Sequence, residues 1–493
     1  MENTRLIKFL KSLNNNEIRQ FRDFINSPVF NKNKNIVDLF EILKDYYPHF
    51  DKLEISEEKL FTMVFKEENF EYFRIKNLTS DLFKLGKEFL AFNVYRNSQN
   101  TKEIFMLQEL RLRNLDTAFE QTHRLAEKRL EMTEAKDENY FLHKMNLQFE
   151  IMSYYSPKKP NVNFHYMQER LDLFINYSLI FLIKEYNIML HENNQNNYNF
   201  DLKMFDNVMS YLEKNRSTEN PTLEVYYNIL LMEKTKNEKY FYKLMELKNK
   251  YRGKLTDVDN YMLYLHLDGY CATAYNVNGR TDLLKEQFSL AKEFPVSDFT
   301  ENGKILYPDF LNQVKKAVRV NEFEWAEYFM EKFKNKLTDE KDNTLNFCHG
   351  IIAYKKGDFD NALDLFSKTN FSNFIIKIQV KILLLQLFID KKYYDQAELM
   401  IDTFRRYLTR EKSILESIKI STMEFLKISG DLIKIKASVS GKELAYKIDM
   451  LNSDIDNMSN NRFGIKLYLK EKANDLKLTG LWFTGFLFAE KLL

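Results

Sequence analysis

Seven histidines, two cysteines and a lone Gly-Lys pair are the residues of this chain best equipped for chemistry, and their spacing assembles no site. His49, His123, His143, His165, His191, His266 and His349 are scattered. No two stand at the i, i+4 spacing that brings zinc ligands onto one helix face. Cys271 and Cys348 lie in apolar helical patterns without a CxxC partner, so both are expected as buried thiols in a reducing compartment. Gly441-Lys442 lacks the upstream glycine and the following Ser or Thr of a phosphate loop. There is no GxSxG elbow, and the carboxylate pairs Glu57-Glu58 and Glu67-Glu68 are adjacent, so they diverge around a helix. These absences lead us to expect a non-catalytic protein with no metal and no cofactor.

The elements that would position any site must be helices. The chain of 493 residues holds only 12 Gly and 7 Pro, too few for the turns of an all-β fold. Hydrophobic residues make up 44%, with 42 Phe and 29 Tyr, enough to exclude a disordered chain. Lys plus Arg total 73 against 71 Asp plus Glu, so no global charge draws the protein to nucleic acid or an anionic membrane. The first residues lack the unbroken apolar core of a signal peptide. The apolar stretches Leu173 to Ile183 and Ile382 to Ile389 fall short of the roughly 20 residues that cross a bilayer. A cytoplasmic protein without a membrane span is expected, its closing run Leu481 to Phe488 packing as a terminal helix.

Periodicity divides the chain into four parts: an N-terminal helical domain (1–98), irregular long-helix hairpins (99–255), repeats (256–410) and a C-terminal helical capping region (411–493). From Glu17 to Asn97 four helices are predicted, with Ser27-Pro28 breaking the first from the second and Ser56 capping the third. Lys102 to Thr133 is predicted as one helix, paired with Asp137 to Tyr155. A long helix is predicted from Phe164 to Glu192, and Asn220-Pro221 should open another.

The repeats share a frame. A turn residue is followed five positions later by a small residue and nine positions later by a large apolar one: Gly357 leads to Ala362 and Phe366, Asn321 to Ala326 and Met330, Lys392 to Ala397 and Ile401. Gly279 leads to Leu284 and Phe288. Ala326, Ala362 and Ala397 recur at spacings of 36 and 35 residues, the period of helix-turn-helix units. One hairpin cannot bury its own apolar faces, so neighbours must stack, and burial of Phe366, Ile401 and Phe404 should each contribute roughly 1.5–3 kcal/mol.

With Ala272 and Tyr275, Gly350 and Tyr354, and Ala362 and Phe366, these units resemble tetratricopeptide repeats. The stretch Ser27-Pro28-Val29-Phe30-Asn31-Lys32 resembles the opening of bacterial helical-repeat proteins, a likeness that supplies no activity. The resemblance implies an all-α, right-handed α-solenoid of helix-turn-helix repeats behind an N-terminal helical domain. It also implies a concave groove lined by His266, Thr273, Asn276, Lys315, Phe347, Ile351, Tyr354, Gln379 and Gln386. Of the Lys, Arg and Asn set used by the family's carboxylate-gripping members, only Asn276 and Lys315 are matched, which argues against a chaperone-tail receptor.

Two functions fit. The first is a protein-protein interaction scaffold or adaptor that holds a peptide or helix of a partner in that groove. The second is a DNA-associated regulator with a helix-turn-helix-like N-terminal domain, since Ser56 to Phe65 and Arg74 to Leu85 resemble the helices of winged-helix domains. Residues 1–100 carry 16 basic and 15 acidic side chains, with Arg74, Lys76, Lys84 and Lys87 interleaved by Glu71, Asp81 and Glu88. No nucleic-acid partner is therefore expected.

Overall fold

A computed structural model of the protein describes residues 4–50, 56–66, 69–158, 163–196, 199–215, 220–293, 304–337, 339–411, 414–438 and 442–476. Glu67-Glu68, the loop around Pro295, Gly441 and the Leu481 to Phe488 run lie outside them. The fold is all-α, and the strand-like pairing seen among the described residues is an isolated parallel bridge from Ile305 to Leu337. Two compact units emerge, Met1–Met132 with Leu142–Leu173, and Thr133–Phe141 with Phe174–Leu493.

The first unit opens with α1 (Arg5–Ser12), α2 (Asn15–Asn26), α3 (Lys34–Lys44), α4 (Glu57–Phe65) and α5 (Tyr72–Asn97). The four predicted helices are α2 to α5. Helix α1 escapes the sequence reading because its eight residues give only two turns of pattern, yet Leu6, Ile7, Phe9 and Leu10 are all buried. Asn14 and Glu17 close a reciprocal capping box on α2, and the Ser56 hydroxyl accepts from the Lys59 amide at 3.1 Å, satisfying amides that the first turn leaves unpaired. Phe21 joins the core, with ring centroids 5.3 Å from Phe9 and 5.2 Å from both Phe40 and Phe89.

The predicted single helix from Lys102 to Thr133 is in fact two, α6 (Gln99–Leu112) and α7 (Asp116–Glu131). Asn114 takes a left-handed φ of 56°. The Leu115 amide then bonds back to Leu110 O and the Asn114 amide to Arg111 O, the pair of bonds that ends a helix. Helices α8 (Glu138–Tyr155) and α9 (Asn163–Asn196) follow. Within α9, Phe164–Asn193 is long and apolar enough to cross a membrane by length and composition, which shorter windows of the sequence hide. Its middle, however, makes polar contacts to protein: Lys184 bridges Glu138 and Asp259, both at 2.6 Å, and Asn187 donates to Tyr226 O at 3.3 Å.

The second unit is a succession of hairpins. α10 (Phe205–Lys214) precedes the pairs α11 (Pro221–Thr235) with α12 (Glu238–Lys250), α13 (Asp257–Asn278) with α14 (Leu283–Lys292), and α15 (Tyr307–Arg319) with α16 (Phe323–Phe333). Then come α17 (Lys341–Lys356) with α18 (Phe359–Ser367), α19 (Phe374–Asp390) with α20 (Tyr394–Arg410), and α21 (Glu416–Ser438) with α22 (Lys442–Asp456). Among the described residues a further helix covers 465–476. First helices also meet each other, α11 with α13 and α15 with α17. The Asn220 side chain accepts from the Leu223 amide at 2.8 Å, with Pro221 at the first helical position.

All four turn residues of the repeat frame adopt the left-handed conformation: Gly279 at φ 66°, Asn321 at 62°, Gly357 at 83° and Lys392 at 60°. Behind three of them the same two backbone bonds recur. Glu322, Asp358 and Tyr393 donate to Ala317, Ala353 and Phe388, while Asn321, Gly357 and Lys392 donate to Val318, Tyr354 and Ile389. The second helix starts two residues later each time. After Gly279 it starts four later, and Leu283, not Leu284, is the buried residue.

Ala326, Ala362 and Ala397 are fully buried. We expect Ala362→Leu to cost roughly 1–3 kcal/mol by overpacking, read as a lower urea midpoint at unchanged slope. Wild-type stability would mean that the frame is misplaced.

Candidate functional site

The nine groove residues stand on four first helices, and the structure brings three of them together. The Lys315 ammonium on α15 donates to Gln379 Oε1 on α19 at 2.7 Å. It passes 5.7 Å from the centre of the Phe347 ring on α17, so one side chain links three first helices. Phe347 itself is fully buried against Phe366 and Phe371, where it packs.

The others separate. His266 and Gln386 are buried, and Ile351 joins the core that runs from α14 to α19. His266 Nδ1 sits 3.4 Å from Glu233 Oε1 on α11. Burial alone would raise the Glu233 carboxyl, but hydrogen bonds from His266 and Lys236 outweigh it and hold the group at about 2. Tyr354 donates to Asp390 Oδ2 at 2.6 Å, and burial with that carboxylate pushes its phenol up. Thr273 is exposed and Asn276 half-buried, its Oδ1 shielded from solvent without a hydrogen-bond partner.

Charged groups that the sequence reading missed surround Lys315. Lys316, 5% exposed at its side chain, bridges Asp268 on α13 at 2.7 Å and reaches the Tyr264 hydroxyl at 2.8 Å. Gln313 donates to the same hydroxyl at 2.7 Å. The Arg319 guanidinium lies over the Tyr275 ring, 5.0 Å from its centroid. Burial, with Arg319 and Lys316 nearby, pulls the Lys315 ammonium down to about 7, and burial also lowers Lys316 and Arg319. The two thiols are pushed up by burial, Cys271 to about 12, which leaves them protonated and unreactive at neutral pH.

In the first unit, three of the four cations of the DNA-associated reading lie on aromatic rings: Arg74 over Phe65, Lys76 over Tyr72 and Lys87 over Phe83. Among the described residues, no three His, Cys, Asp or Glu side chains gather as metal ligands do. The arrangement on α13, α15, α17 and α19 can hold a ligand by hydrogen bonds, charge and ring contacts. The chain matches no protein-family model, no curated protein and no solved structure.

Proposed function

We propose that this protein is a non-catalytic, cytoplasmic interaction scaffold that holds a peptide or helix of a partner protein against α13, α15, α17 and α19. In this reading residues 256–410 are tetratricopeptide-like repeats of a right-handed α-solenoid, and those first helices line its concave side. The observation that carries it is the Lys315 to Gln379 bond across Phe347, which links half-exposed polar groups from separate hairpins. A scaffold needs such a face more than it needs a pocket, because extended partners are read by spaced side chains.

The test is site-specific photocrosslinking in the full chain. A benzophenone amino acid replacing exposed Thr273 should capture a discrete partner, whereas the same probe replacing Tyr242, exposed on α12, should not. Lys315→Ala with Asn276→Ala should abolish the Thr273 adduct while far-UV circular dichroism stays helical. Equal adducts from both probes, or an adduct indifferent to the double variant, would defeat the reading.

A further inference from the structure

The cations on α15 are unevenly matched. Lys316 has its counter-ion, since Asp268 receives it at 2.7 Å and also accepts from Gln287 at 3.1 Å. Among the described residues the partners of Lys315 are neutral: Gln379 at 2.7 Å, Asn312 at 3.3 Å and the Phe347 ring. Arg319, among the described residues, makes no direct ion pair or hydrogen bond: the Tyr275 ring is its contact, and the Asp268 carboxylate, already bridged by Lys316, acts on it only through space. Lys315 and Arg319 are four apart, so they project from one face of α15. Both are half-buried, crowded by protein yet open to solvent. A partly desolvated cation without a counter-ion is costly, and an incoming anion recovers that cost.

We propose that Lys315 and Arg319 form a carboxylate-binding site on this face and that the segment it holds is acidic. The inference deepens the interaction reading above and rests on it. Both cations stand on one helix, one turn apart. The Tyr275 ring, 5.0 Å from the guanidinium carbon, holds Arg319 by a cation–π contact that leaves its N–H donors available to a carboxylate. Lys315, held low by burial beside two other cations, gains a full charge when an anion arrives. A nucleic-acid strand fits poorly, because phosphate backbones are gripped by cations spread along a track, and here they share one turn beside Asp268.

The experiment is calorimetric titration of the full chain with an octaglutamate peptide, its octaglutamine counterpart and inorganic phosphate. The glutamate peptide should bind at least tenfold more tightly than the glutamine peptide, with affinity falling as salt rises. Arg319→Gln and Lys315→Gln should each weaken it about tenfold, and Arg319→Lys should recover part of the loss. Circular dichroism and melting temperature check that each variant is folded. Equal binding of the two peptides, untouched by Arg319→Gln, would overturn the anion site and leave the interaction reading standing. Phosphate binding alone would replace an acidic segment by a small free anion, and silence from all three probes would overturn the proposal.

Discussion

Asp390→Ala should cost about 3–5 kcal/mol of unfolding free energy and release the helix over 465–476 first. The Asp390 carboxylate, only 8% exposed, accepts from Tyr354 on α17 at 2.6 Å and from Tyr468 at 3.1 Å, and pairs with Lys472 at 3.1 Å. Its removal leaves the buried Tyr354 hydroxyl without its acceptor and takes from Lys472 its shortest ion pair, so that only Asp475 at 3.7 Å and Glu471 at 3.8 Å remain to it, a heavier penalty than the bonds were worth. Tyr468 keeps one alternative, Gln386 O at 3.2 Å, so Asp390→Asn should cost roughly half as much. Hydrogen exchange read along 465–476, beside urea denaturation, measures both. A loss below about 1 kcal/mol would mean that water replaces the carboxylate freely.

The second large effect is expected where α17 and α18 touch. A Cβ at Gly350 would lie 2.6 Å from Phe366 Cε1, and Phe366 is fully buried. Phe366→Ala should cost about 3–5 kcal/mol by opening a cavity, and Gly350→Ala about 1–3 kcal/mol by displacing the ring. The two should be coupled: in a Phe366→Leu background, the shorter side chain makes Gly350→Ala cheaper. A double-mutant cycle reads this directly. Additive losses would show that the helices adjust by moving apart, not by moving the ring.

Helices and hairpin frame were legible from sequence because period and spacing are local signals. The five-residue step from Gly357 to Ala362 and from Lys392 to Ala397 marks a left-handed joint and a buried small residue in each unit. Lys392 was recognisable through its place in the frame, since lysine as a residue type carries no such signal. Asn114 makes the same kind of joint outside the frame, and the reading ran through it. The site was legible only in part. Lys315 stood out by analogy of position, whereas Arg319 and Asp390 look like ordinary surface charges until the fold shows what surrounds them. Burial of a charge and the identity of its partner are tertiary facts, and no helical period encodes them.

The Asp390 cluster also has a clock. Most helices of the second unit pack on the next in sequence and can dock soon after leaving the ribosome, but Tyr468 lies 78 residues beyond its acceptor. At synthesis rates of roughly 5–20 residues per second, the Asp390 carboxylate at the end of α19 must wait about 4–16 s with Tyr354 in place and Tyr468 still to come. Arrested nascent chains ending before 465 should therefore expose α19 to limited proteolysis, and chains that release the 465–476 helix should protect it.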